Sequence, residues 1–166
     1  MAQILIIIEK DFQDAEVIYP LYRLREAGHN VTVVGCGQKE YKGKYGYPIK
    51  ADSNIADINI SKYGGVIIPG GWAPDHLRWN KDVLNLVIQM NKSNKLIASI
   101  CHGAWVLVSA NLLKGRTITC YKAIKDDVIN AGANYVDKSV VVDNNIITSR
   151  CPDDLPDFCR EILKKL

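Results

Sequence analysis

The run Leu96-Ile97-Ala98-Ser99-Ile100-Cys101-His102-Gly103-Ala104-Trp105-Val106-Leu107-Val108 changes its hydrophobic period at a single residue. As far as Ile100 it is nearly continuous, as in a strand buried on both faces of a parallel sheet. Beyond it, Ala104, Val108 and Leu112 recur at helical spacing. A chain that passes from buried strand to helix with no loop between them must turn sharply. Ser99 and Gly103, two residues either side of Cys101, are small enough to permit that turn. The pattern predicts a nucleophile elbow that lifts the Cys101 thiol clear of the sheet, with His102 beside it as base or orienting group. At a helix N-terminus, unpaired N–H groups and the helix dipole favour the thiolate, so a lowered thiol pKa is expected. On local pattern alone, an inert buried cysteine and a surface or capping histidine fit as well.

The flanking sequence repeats the alternation of strand and helix. Residues 3–8 and 30–36 read as β-branched strands around a helix at 14–27, in which Val17, Ile18, Leu21 and Leu24 form the apolar stripe and Gly28 is the stop. Residues 37–50, rich in Gly, Tyr and Lys, read as a loop or small hairpin leading to a polar connection through Ile60. Further strands are expected at 65–68, 115–119, 139–142 and 146–148, the last two joined by the turn Asp143-Asn144-Asn145. Helices are expected at 82–91, 124–131 and 153–166, with a short helical turn started by Asp75. Strand-helix-strand succession implies a parallel sheet with right-handed crossovers, and residues 1–166 suffice for one domain.

Charge and cysteine usage exclude several function classes. The net charge of +3 arises from 21 basic and 18 acidic residues interspersed along the chain, which indicates neither a nucleic-acid nor a membrane surface. The apolar run at residues 4–8 is too short to span a bilayer, and a cytoplasmic location is expected. Five cysteines without C-x-x-C spacing signal neither a disulfide framework nor a zinc site, and they read as reduced thiols. There is no G-x-G-x-x-G or G-x-x-x-x-G-K loop for a nucleotide, and no metal or cofactor is called for.

In an open parallel sheet the functional groups gather beyond the C-terminal ends of the strands. Here that edge receives Glu16 after the first strand, Gly70-Gly71 and Asp75 after the third, and Cys101-His102 after the central one. The N–H groups of Gly70, Gly71 and His102 are candidates for holding an oxyanion. Taken singly, Glu16 reads as a solvated first-turn acid and Asp75 as a helix-start residue.

The segments Pro69-Gly70-Gly71-x-Ala73-Pro74, Ala98-Ser99-Ile100-Cys101-His102-Gly103, Ile124-Lys125-Asp126-Asp127 and Ser149-Arg150-x-Pro152-x-Asp154-Leu155 resemble those of PfpI-type intracellular proteases, in the same order. With Asp14-x-Glu16-x-Ile18-Tyr19-Pro20, the resemblance spans essentially the whole chain. It implies a flavodoxin-like three-layer α/β sandwich in a superfamily that includes deglycases, cofactor-independent glyoxalases, chaperones and amidotransferase glutaminase domains. It also implies that Cys101 is the nucleophile, His102 its partner, Glu16 the acid that hydrogen-bonds the sulfur and Tyr121 a pocket residue. The acid that orients the histidine would come from a neighbouring subunit of a homo-oligomer, a dimer or higher such as a hexamer, with a shared active site. Family members carry Glu there, and Asp75 is one methylene shorter. The implied chemistry is attack on a carbonyl, either a peptide bond or a small α-oxoaldehyde and its adducts, without a cofactor. The alternative is a redox-sensing or chaperone stress protein using the same oxidisable cysteine. A glutaminase would need a later His-x-Glu pair, and no histidine follows His102.

Overall fold

The computed structural model describes residues 1–166, and its centre is β1 (Gln3–Ile8), in which every residue from Ile4 to Ile8 is fully buried. A strand apolar on both faces must be covered on both, and each buried Ile or Leu side chain contributes about 1.5–3 kcal/mol. In chain order there follow α1 (Asp14–Glu26), β2 (Asn30–Gly35), the hairpin of β3 (Glu40–Lys42) and β4 (Pro48–Lys50), β5 (Ser53–Asn54) and β6 (Gly65–Ile68). Next come α2 (Ala73–Leu77), α3 (Lys81–Lys92), β7 (Leu96–Ile100), α4 (Ala104–Ser109), β8 (Thr117–Ile118), α5 (Lys125–Asn130) and β9 (Asn134–Tyr135). The chain closes with β10 (Val140–Asp143), β11 (Ile146–Ser149) and α6 (Leu155–Lys165).

Seven strands form the main sheet in the order β10-β11-β7-β6-β1-β2-β5, parallel throughout except for the hairpin partner β10. Helix α1 packs with α6, and α3 packs with α4, so helices flank the sheet as the alternation of strand and helix predicts. No helix is long and apolar enough to cross a membrane.

Two expected elements differ. The helix after Cys101 ends at Ser109 instead of running on to Leu112, because Asn111 enters the left-handed region at φ 55° and reverses the chain. The Leu112 N–H then donates to the Leu107 carbonyl at 3.1 Å, so Leu112 is the apolar residue of a C-cap and not part of the helix. The strand expected at 115–119 shrinks to β8, which pairs only with β9 outside the main sheet. There the Asp143 carboxylate accepts the Thr117 N–H at 2.7 Å and Thr148 Oγ1 accepts the Thr119 N–H at 3.0 Å, so side chains take backbone N–H groups that a longer ladder would use.

Candidate active site

Three strand ends converge on one point. After β1, Asp11 takes φ 60° and turns the chain so that Phe12 bridges Gly71 in antiparallel fashion. The Gln13 N–H donates to the Gly70 carbonyl at 3.1 Å and the Trp72 N–H to the Asp11 carbonyl at 2.9 Å. This clasp ties the start of α1 to the end of β6, and it places Glu16 against Gly70.

Glu16 is fully buried. Its Oε2 accepts the Gly70 N–H at 2.6 Å, while Oε1 is buried without a partner. A carboxylate so placed loses its hydration, and burial pushes the Glu16 pKa up to about 7, although the Gly70 N–H and Lys44 oppose the shift. Gly70 is small because it must be: a Cβ there would lie 2.7 Å from Cys101 Cβ, 2.8 Å from Glu16 Oε2 and 3.0 Å from Cys101 Sγ. The carboxyl and the thiol therefore face one another across a residue with no side chain.

Cys101 forms the elbow. Its φ of 61° lies in the left-handed region, a strain of about 1–3 kcal/mol for a residue with a Cβ, held by the buried strand before it and the helix after it. The turn is a single 3-10 unit, Cys101–Gly103, leading into α4. A Cβ at Gly103 would come within 2.5 Å of the Ile68 carbonyl, which explains the small residue two places after the cysteine. The sulfur lies 3.3 Å from His102 Nδ1, and the backbone N–H groups of His102 and Gly71 point at it.

Two expectations are corrected by this geometry. The Cys101 thiol is raised above its ordinary pKa and not lowered: burial dominates, the Glu16 carboxylate adds to it, and the two N–H groups offset only part. One 3-10 turn before a six-residue helix supplies little dipole against the thiol of a residue only 8% exposed. Gly70 is not an oxyanion donor either, because its N–H is already given to Glu16; Gly71 and His102 remain the N–H donors at the sulfur.

His102 is held by aromatic rings. Tyr121 stacks on it at 5.0 Å between centroids, Trp105 meets it edge-on at 5.1 Å and Trp72 lies tilted at 6.1 Å. Trp105 is fixed in turn by its indole N–H, which donates to Asp127 at 2.7 Å. Burial, reinforced by Lys44, lowers the His102 pKa, so the imidazole is neutral at pH 7. Asp75 is not brought to it: the residue is exposed on α2, its carboxylate makes no hydrogen bond, and the ring is left without a carboxylate from its own chain. No three His, Cys, Asp or Glu side chains gather closely enough to hold a metal ion.

The thiol opens into a cavity of about 490 Å³ bordered by Lys44, Tyr45, Trp72, Cys101, His102 and Tyr121. Lys44 and Tyr45 arrive from the loop between β3 and β4, and no periodicity or motif in the sequence points to them. They are long-range neighbours, brought in because the Asp14 carboxylate accepts the Tyr45 and Tyr47 N–H groups, each at 2.9 Å.

A flavodoxin-like sandwich that presents a thiol on a strand-to-helix elbow, next to a histidine and a buried carboxyl, defines a class of cysteine-elbow α/β proteins. The DJ-1/PfpI family profile matches residues 2–165, and the chain belongs to that family. It is 41% identical over 164 residues to a protein of Pyrococcus horikoshii named Deglycase PH1704, with 99% of each chain covered. It is 40% identical over 164 residues to Deglycase PfpI of Pyrococcus furiosus, again with 99% of each covered. Among solved structures, a two-domain protein of Anabaena variabilis containing DJ-1/ThiJ/PfpI-like and ferritin-like domains superposes with a TM-score of 0.96 at 40% identity. That match covers 99% of this chain and 48% of the Anabaena one.

Proposed function

We propose that this protein is a cysteine-dependent enzyme that converts small α-oxoaldehydes and their hemithioacetal or aminocarbinol adducts to α-hydroxy acids, a deglycase or glyoxalase activity. The observation that carries the reading is the 3.3 Å contact between the Cys101 thiol and His102 Nδ1, on the wall of a cavity of about 490 Å³. That volume lies within the usual range for small-molecule sites. The relatives named deglycase support the same reading.

The chemistry follows from the protonation states. The resting group is a thiol, because burial and Glu16 oppose ionisation, and the adjacent imidazole is free to take its proton as the sulfur attacks the aldehyde carbon. The Gly71 and His102 N–H groups, which lie at the sulfur, are the donors left to hold the charge that develops on the carbonyl oxygen. In the resulting hemithioacetal, the proton on the former aldehyde carbon moves through His102 to the neighbouring carbonyl carbon while the hydroxyl proton passes to that carbonyl's oxygen, leaving an α-hydroxy thioester. Water cleaves the thioester and frees the thiol, so the sum is one α-oxoaldehyde plus one water giving one α-hydroxy acid.

Asp75 enters as a residue given to a second copy of the chain. It is exposed on α2 between the exposed Trp72 and Trp79, and it has no partner within its own chain. A homo-oligomer that covers this face and brings the partner's Asp75 to His102 would complete the orienting pair. Sedimentation of wild type and Asp75→Ala tests it, and a monomer with full activity would remove it.

The function is tested by measuring methylglyoxal and fluorogenic-peptide turnover with wild type and Cys101→Ala at matched, verified folding. Lactate production by wild type alone is expected. Peptide cleavage that needs Cys101 would replace the reading with a protease.

A further inference from the structure

We propose that Lys44 is a substrate-binding cation of this cavity and that it selects α-oxoaldehydes carrying an anionic group remote from the reacting aldehyde. The inference rests on the proposed α-oxoaldehyde chemistry and deepens it by naming the substrate class.

Lys44 is the only Lys, Arg, Asp or Glu among the residues lining the cavity that contains Cys101. It forms no salt bridge with any carboxylate of the chain. Its ammonium lies over two aromatic rings instead, 5.2 Å from the Tyr45 centroid and 5.9 Å from that of Trp72. Ring faces position a cation without neutralising it, whereas a carboxylate would consume its charge. It also lies close enough to the reacting groups to influence both Glu16 and His102.

The backbone beneath it is built and not incidental. The Lys44 N–H donates to the Phe12 carbonyl at 2.8 Å, and the Asp11 N–H donates to the Lys42 carbonyl at 2.9 Å. The Asp14 carboxylate, itself only 9% exposed, accepts two further N–H groups of the same loop, from Tyr45 and Tyr47. A mostly buried carboxylate thus fixes a loop whose tip carries one unpaired cation to the mouth of a cavity with aromatic walls. An aromatic or short aliphatic body between Trp72 and Tyr121, with a carboxylate or phosphate toward Lys44, matches these surroundings in polarity.

The test compares kcat/KM for para-carboxyphenylglyoxal and for neutral phenylglyoxal in wild type, Lys44→Gln and Lys44→Arg. The ratio of the two substrates is the readout, because an influence of Lys44 on Glu16 or His102 alone changes both substrates together. Wild type is expected to prefer the carboxylated substrate. Lys44→Gln is expected to lower the ratio about tenfold, mainly through KM, the scale of one lost charge-assisted hydrogen bond, and Lys44→Arg to restore it. An unchanged ratio in Lys44→Gln overturns the proposal. If wild type turns over neither glyoxal, the catalytic reading fails separately. Binding of para-acetylbenzoate against acetophenone then decides on Lys44: tighter binding of the anion that is lost in Lys44→Gln supports it, and equal binding refutes it.

Discussion

Replacing Glu16 by Gln keeps the shape and the acceptor for the Gly70 N–H but removes the titration. In the folded protein burial raises the Glu16 pKa from 4.5 to about 7. Between those two values the unfolded chain has released the proton and the folded chain still holds it, so folding stability must fall as pH rises. At about 1.4 kcal/mol per pH unit, the fall amounts to about 3 kcal/mol, complete once pH has passed the folded value. The variant lacks this slope, while its other titrating groups are those of wild type. Urea unfolding of both proteins near pH 5 and near pH 8 therefore gives a double difference that isolates Glu16. Part of the fall already lies below pH 5, so we expect Glu16→Gln to gain about 2–3 kcal/mol on wild type between the two conditions. Identical pH dependence in the two proteins would mean that Glu16 is ionised throughout, and the proton assignments at the sulfur would fall with it.

The same geometry predicts other outcomes. In Gly70→Ala the new methyl has Cys101 and Glu16 atoms within 3.0 Å, so a loss of about 1–3 kcal/mol in stability and of most turnover is expected from urea unfolding and kinetics. At pH 8, where Glu16 is ionised, Glu16→Gln should alkylate faster at Cys101 with iodoacetamide than wild type does, because a charge that raises the thiol pKa is gone; a slower reaction would contradict that sign. Asp14→Ala strands the Tyr45 and Tyr47 N–H groups, so about 1–3 kcal/mol of stability should be lost, with faster proteolytic cleavage between β3 and β4. Unaltered cleavage would show that other contacts hold this loop.

What was legible in the sequence was what local pattern and strand order control. The period change at Cys101, with small residues either side, sufficed for the elbow, and β1, β6 and β7 deliver Glu16, Gly70-Gly71 and Cys101 to one edge. The roles of those groups were less legible, because they depend on distances between separate segments. That the Gly70 N–H serves Glu16, leaving Gly71 and His102 at the sulfur, follows from the antiparallel clasp of Phe12 with Gly71, which no spacing announces. The thiol pKa departs from the helix-terminus expectation for a related reason: a helix N-terminus is visible in sequence, but the burial of a sulfur beside a second acid is not. Lys44 and Tyr45 lie in a Gly-, Tyr- and Lys-rich stretch with no periodicity, and only the Asp14 carboxylate ties them to the site. Asp75 is placed by α2, and the chain's own fold does not bring it to His102.

The most direct test of carbonyl attack by Cys101 is rapid-quench mass mapping of the protein during turnover of phenylglyoxal, in wild type and in Cys101→Ala. We expect a transient adduct of one α-oxoaldehyde on the peptide containing Cys101, rising and decaying with product formation, and absent from the variant. Product formation that proceeds equally in Cys101→Ala, with adducts confined to surface lysines and arginines, would contradict the account.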